Sequence, residues 1–306
     1  MSAIRALRTA VDALTGGPVL VFGGLLYALV VLPQQALQLA GVPLVPSLLQ
    51  MLTFFLTPFV VAGVVGVART ALDGAASFDS FTAVGAKRYV DLLLATFVEF
   101  GIKLAFGIGF VVLGFLLLAV AGSSGPAALV GLFVVAAVAV AYVLVLFGIQ
   151  FYPVVVVLDD AGPVDAVTES VAFVRSNVVS TLGFSAITVL LGTLAALPFV
   201  GPAVYRFATT DPTSTGGGPG PIGGGMSAGG AGTGAANGTA GAPQLADALS
   251  AGMGSGLGLS TPAVVGLSLA SLVATALFFS FRLTYATAFY RLNGRSIEER
   301  VLDDEW

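Results

Sequence analysis

The sequence predicts an all-α, polytopic integral membrane protein: six transmembrane helices with amphipathic helices on the cytoplasmic side. Three observations predict it. Of 306 residues, 57% are hydrophobic and 9% charged, whereas soluble proteins carry about 25% charged residues and need them to cover a wet surface. The apolar residues fall in uncharged runs close to the ~20 residues that cross a hydrocarbon layer. The 12 Lys and Arg gather on one side of those runs, as they do in cytoplasmic loops.

The first run extends from Gly17 to Leu32 and on toward Ala40, and the second from Pro46 to Ala68, closed by Arg69. The stretch between them, Pro33 to Val45, carries no charge. The third, Leu104 to Ala121, stops at Gly122, Ser123, Ser124, Gly125 and Pro126, residues that punctuate helices. A fourth runs from Ala127 to Leu158, long enough to tilt or to bend at Pro153. The fifth covers Val178 to Leu197, ahead of Pro198 and Pro202, and the sixth Pro262 to Phe281. Between these two, 17 of the 52 residues from 209 to 260 are Gly. Such a segment cannot bury enough apolar side chain to offset its ordering entropy, so it reads as a disordered extracytoplasmic loop within one membrane domain, residues 1–306. Gly218, Gly220 and Gly223 spell a G-x-G-x-x-G there, and Gly225, Ser227 and Gly229 a G-x-S-x-G. Both patterns need a strand before and a helix after, and a Gly-rich tract produces them by chance. Asn237-Gly238-Thr239 is a sequon on the side where glycosylation occurs.

Orientation follows from sorting the basic residues. Arg5 and Arg8 precede the first span; Arg69, Lys87, Arg88 and Lys103 lie between the second and third; Arg175 lies between the fourth and fifth; Arg282, Arg291, Arg295 and Arg300 close or follow the sixth. Only Arg206 falls in an opposite-side loop. Both termini are therefore expected in the cytoplasm of a multi-pass protein of the cell membrane. A cleaved signal peptide over residues 1–40 is the competing reading, but no clear A-x-A site follows the apolar run, and its removal would leave an odd number of spans.

Three repeated units can be laid out, each an amphipathic segment, a hairpin and a short turn. The amphipathic sets are Ile4, Leu7, Val11, Leu14 in the first and Val164, Val167, Val171, Val174 in the third, with a less regular middle copy over Phe78 to Leu94. The turns are Leu72-Asp73-Gly74, Leu158 to Gly162, and Leu292-Asn293-Gly294. Two spans per unit would give parallel repeats about an axis along the membrane normal. Mitochondrial carriers share this count of hairpins, but neither Pro33 nor Pro198 is followed by their P-x-[D/E]-x-x-[K/R] charges. Asp165-Ala166, then Ser170, Arg175 and Asn177, ahead of an apolar helix, resembles the A-x-x-x-S segment in the membrane domain of glycerophosphodiester phosphodiesterases and related uncharacterised multi-pass families. Ten Arg against two Lys, an acidic balance and an Ala, Val and Gly bias are similar in style to haloarchaeal members. The resemblance implies a fold and a membrane location. It implies no hydrolysis, because in those enzymes a separate soluble domain with His and acidic metal ligands does the chemistry.

With no Cys and no His, thiol nucleophiles, iron–sulfur ligation and the commonest general base and metal ligand are all removed. A net charge of −4 lacks the basic stripe of nucleic-acid binding. No catalytic residue, cofactor or metal site is expected, and the lipid bilayer is the one partner the composition names. Glu99 and Lys103, four apart on one helical face, form the expected intramembrane ion pair, placed at the inner boundary where a Lys stem snorkels to headgroups. Gly101, Ala105 and Gly109, with Gly266, Ala270 and Ala274, have the small-residue spacing that lets helices approach closely. The segment Val164 to Val178 reads as a scaffold helix in which Ser170 and Asn177 bond locally. The expected role is non-enzymatic: structural, assembly or regulatory. A small-molecule or lipid transporter is the alternative, and it would carry further polar or ionisable side chains at depth.

Overall fold

The computed structural model describes residues 2–39, 44–120, 126–209 and 261–294. The Gly-rich segment beyond Thr209, its two short motifs, Asn237, the turn Gly122 to Gly125, Arg295 and Arg300 lie outside the described residues. Among those described, all regular structure is helical, in nine helices: α1 Ser2–Gly16, α2 Pro18–Leu39, α3 Val45–Leu72, α4 Phe78–Val120, α5 Pro126–Ile149, α6 Tyr152–Leu158, α7 Pro163–Ser176, α8 Val178–Thr209 and α9 Thr261–Asn293. Six helical stretches are long and apolar enough to cross a membrane: Pro18–Gln38, Val45–Leu72, Phe78–Leu117, Leu129–Leu158, Val178–Pro198 and Pro262–Asn293.

Helix α1 stops where Pro18 lacks an N–H and disfavours helix at the residue before it. Gly17 turns the chain there, its N–H bonding Ala13 O at 2.9 Å. The face that α1 packs is Ala3, Ala6 and Ala10, all buried, while Ile4 and Val11 of the apolar set project outward at 57% and 44% exposure. Residue by residue, α7 repeats this pattern 160 positions later. Ala166 and Ser170 are fully buried as Ala6 and Ala10 are, Val164 and Val171 are exposed as Ile4 and Val11 are, and Asn177 ends α7 where Gly17 ends α1. The middle copy departs from the scheme. Nothing breaks the chain between Phe78 and Val120, so amphipathic segment and span are one helix of 43 residues, about 64 Å at 1.5 Å per residue. Ser77 Oγ accepts the N–H of Ser80 at its start, and Phe81, Gly85, Leu92, Ala95, Thr96, Glu99 and Lys103 form one buried stripe along it.

The centre of the bundle is α9, which packs on α1, α2, α3 and α8. Against α2 the approach is backbone to backbone. A Cβ on Gly24 would collide with Ala276 O and Ser280 Oγ, Ser280 Oγ donates to Leu20 O at 2.8 Å, and Tyr27 stacks on Phe279 with ring centroids 3.9 Å apart. Further along, Ser271 Oγ donates to Gln35 Oε1 at 2.9 Å, a polar link of the kind that joins helices in apolar surroundings. Helix α3 meets α2 at Gly23 and α4 at Gly63 and Gly66, each with a neighbouring side chain where a Cβ would stand.

The packing glycines expected from spacing are not these. Gly101, Gly109 and Gly266 have open space where a Cβ would be, Ala105 and Ala270 are exposed and Ala274 is half-buried. Their stripes face outward from this chain. In an apolar solvent, small-residue spacing marks a helix face without saying whether protein or lipid covers it.

The sixth span also differs from its expected end at Phe281, because α9 continues to Asn293. It is closed by Gly294, whose N–H bonds Tyr290 O. At this end the three turns are tied together. Arg291 Nη2 donates to Asp73 Oδ1 at 2.9 Å, the Tyr290 hydroxyl donates to Asp159, and Arg88 pairs with both Asp160 and Asp91.

Candidate functional site: a charged cluster at a helix break

The site begins with an interruption. Pro153 has no N–H to give to the turn before it, and the helix stops at Ile149 and restarts at Tyr152. Such a break strands backbone groups that are costly to bury unpaired. Ser170 of α7 satisfies two of them: its Oγ accepts the N–H of Phe151 at 3.1 Å and donates to Gly148 O at 2.8 Å. Phe151 itself is clamped among Phe173, Phe184 and Phe289, ring centroids 5.0 to 5.6 Å away. The break is thus a built feature, held by a hydroxyl and an aromatic cluster.

On α6, just past it, Tyr152 is 3% exposed and donates its hydroxyl proton to Glu99 Oε2 at 2.8 Å. Glu99 Oε1 lies 2.6 Å from Lys103 Nζ, with side-chain exposures of 4% and 3% respectively. Thr96, one turn earlier, donates to Leu92 O at 2.8 Å and sits 3.3 Å from the Tyr152 hydroxyl. From α9 comes Arg282, 8% exposed and electrostatically coupled to Glu99, Tyr27 and Tyr152. It lies eleven residues before the end of α9 at Asn293, about 16 Å along the axis. The cluster therefore joins α4, α6 and α9 through one carboxylate, two cations and a phenol.

Beside it is a cavity of about 40 Å³, room for roughly two or three waters. Thr57, Thr96, Gln150, Tyr152 and Arg282 give it a polar wall, and Phe184 and Phe279 an apolar one. Gln150 Oε1 accepts from Ser185 Oγ at 3.1 Å, while its Nε2 is buried with no hydrogen-bond partner. Among the described residues no three His, Cys, Asp or Glu gather as a metal site.

The structure brings Glu99 and Lys103 together but sets them inside the bundle, where a snorkelling Lys was expected. Tyr152 of α6 bonds Glu99 on that side of α4. Ser170 bonds across 19 and 22 residues to the helix break, not locally. Asn177 does bond locally, Nδ2 to Phe173 O at 3.1 Å. Ala166 is buried and Arg175 exposed; neither touches the cluster. Arg282, Tyr152, Thr96 and Gln150 were absent from the expected site. Arg282 looked like the first charge of a closing loop, yet Leu283, Tyr285, Ala286, Ala288 and Phe289 continue the apolar run beyond it and are its signal in the sequence.

No curated protein matches the chain. No solved structure matches it either. The resemblance to glycerophosphodiester phosphodiesterases finds no counterpart in these comparisons. Residues 1–292 match one family profile, that of a domain of unknown function, DUF7847, and with nearly the whole length covered, the chain belongs to that family.

Proposed function

We propose that this is a multi-pass protein of the cell membrane, both termini cytoplasmic, that works without covalent chemistry in a structural, assembly or regulatory role. The observation that carries this reading is the set of six helices long and apolar enough to cross a membrane, joined inside the bundle by a buried cluster in which Glu99 bonds Lys103 and Tyr152. The outward apolar surface supports it too: Leu129, Phe133, Val143 and Leu144 of α5 are exposed at 62% or more, which suits lipid. The bias of Lys and Arg supports the orientation. Kinship with the membrane domain of glycerophosphodiester phosphodiesterases belongs to the same proposal and concerns fold and location alone.

One observation favours a second reading, transport of a small solute. Three charged side chains and a cavity meet where the fourth span is broken, and broken helices at depth are how many transporters build a binding site.

Single cysteines in the natural Cys-free chain test both readings. In sealed cells, cysteines at Ser77 and Ser176 resist an impermeant thiol reagent and one at Ser227 reacts; labelling at Ser176 overturns the orientation. A cysteine at Thr57, on the cavity wall, stays unreactive toward a small charged reagent in the structural reading. Reaction from one face that changes with conditions establishes the transport reading instead.

A further inference from the structure

We infer that the outward face of α1 is a docking surface for anionic phospholipid headgroups, and that its counterpart α7 is not. This rests on the reading of the chain as a membrane protein and adds which lipid is held and where. Tyr285 of α9 donates its hydroxyl proton to Ala3 O at 3.1 Å, and Ala3 Cβ stands 3.4 Å from where a Cβ on Gly183 of α8 would be. Gly183 lies five residues into the apolar stretch Val178–Pro198, about 8 Å along its axis. The first turns of α1 therefore sit beside the end of a span, at the depth where hydrocarbon gives way to headgroups. Apolar surface flanks this junction on both helices: Ile4, next to Ala3, is 57% exposed, and Val179, one turn before Gly183, is 84% exposed.

Arg5 and Arg8 are exposed on the same helix. Arg8 stands four residues after Ile4 and three before Val11, so it borders both exposed apolar residues on the helix surface, and Arg5 is one turn before it. Among the described residues neither guanidinium is in an ion pair. Asp12, also exposed, lies a turn beyond Arg8, which leaves the first two turns with two cations and no acid. An apolar edge beside exposed Arg is how interfacial helices take anionic lipid: the guanidinium offers a phosphate a fixed pair of donors, and its stem follows the apolar edge. A zwitterionic headgroup gains less, because its own cation also meets the two Arg. The repeat supplies the contrast. Helix α7 buries Ala166 and Ser170 and exposes Val164 and Val171 in the manner of α1. Yet 160 positions after Arg5 and Arg8 stand Asp165 and Thr168, with Glu169 beside them, all exposed. One scaffold thus presents opposite signs at two places, and the acidic copy repels the headgroup that the basic copy attracts.

The test places the full-length protein in phosphatidylcholine discs containing a small fraction of a phosphatidylglycerol probe, photoreactive at its headgroup, and maps the labelled peptides. This probe labels α1 about 10-fold more than the matching phosphatidylcholine probe does, and it shows no such preference at α7. Arg5→Gln with Arg8→Gln removes the preference at α1, at about fivefold per Arg, and added salt weakens it in the natural chain. Both positions are exposed, so the variant keeps the natural Tm. Equal labelling of α1 by the two probes overturns the proposal, as does labelling by phosphatidylglycerol that is unchanged in the double variant. An equal preference at α1 and α7 does the same, since charge then does not select the lipid. A phosphatidylcholine probe photoreactive at its acyl-chain end labels α5 in the same discs; its failure to do so overturns the membrane reading itself, by a separate signal.

Discussion

At Glu99 a single carboxylate serves Lys103, Tyr152 and the field of Arg282, so the three possible deletions are not equivalent. Lys103→Leu leaves Glu99 with a hydroxyl donor and a nearby guanidinium. Glu99→Leu leaves two buried cations and a phenol that has lost its acceptor. Removing one partner of a buried pair costs about 3 to 5 kcal/mol, and Glu99→Leu is expected at the upper end with Lys103→Leu well below it. The double variant should not recover to the natural level, because Arg282 and Tyr152 still need what Glu99 provided. Unfolding of the three variants in one detergent checks the order, and full recovery of the double variant would mean that the pair is isolated. The i, i+4 spacing made the pair legible in the sequence. Its third and fourth members come from α6 and α9, more than 50 and 180 residues away, and no local pattern announces such a meeting.

Between elements, close approach is decided by which face of a helix meets protein, and two glycine substitutions separate the faces. Gly24→Ala places a methyl on Ala276 O and Ser280 Oγ, forces α2 off α9 and is expected to cost about 1 to 3 kcal/mol. Gly109→Ala meets nothing and is expected to be neutral within about 0.5 kcal/mol. Ser170→Ala strips the break of its bridge, leaving Phe151 N–H and Gly148 O unpaired at a cost of about 1 to 3 kcal/mol. Thermal unfolding of all three reads the contrast directly. The six long apolar helices were legible because uncharged runs close to the ~20 residues that would cross a hydrocarbon layer stand out between charged ends. Faces were not. A helix apolar all round carries no moment to point at the core, so Gly101 and Gly109 looked as good as Gly23 and Gly24. The break at Gln150 to Phe151 was legible from Pro153, but Ser170 as its support was not, since its partners stand 19 and 22 residues away.

Across the whole molecule, the last turn of α9 gathers the ends of the other hairpins. Arg291 holds Asp73 behind α3, and Tyr290 holds Asp159 behind α6. The acidic turns could be read in the sequence as repeat markers, but their use as anchor points could not, because both anchors sit on a helix whose chain is far away. These links differ in strength. Arg291 and Asp73 are 40% and 54% exposed, so their pair is worth about 0 to 1 kcal/mol and is screened by salt. Tyr290 is 8% exposed while Asp159 is exposed, so its bond is sheltered on one side only. Replacing both, as Tyr290→Phe with Arg291→Ala, removes the polar links from α9 to Asp159 and Asp73 while the aromatic ring at position 290 can stay packed on Phe173. Upstream, Ser280 remains bonded to Leu20 and Tyr285 to Ala3 O at 3.1 Å. Hydrogen exchange in detergent should therefore show faster opening confined to the amides after Phe289, with those from Phe279 to Tyr285 as slow as before. Arg291→Ala alone should give little of this effect, and none at high salt. Uniform acceleration along α9 would show that the turns hold the whole helix in place, and that the hairpins depend on this end for their packing.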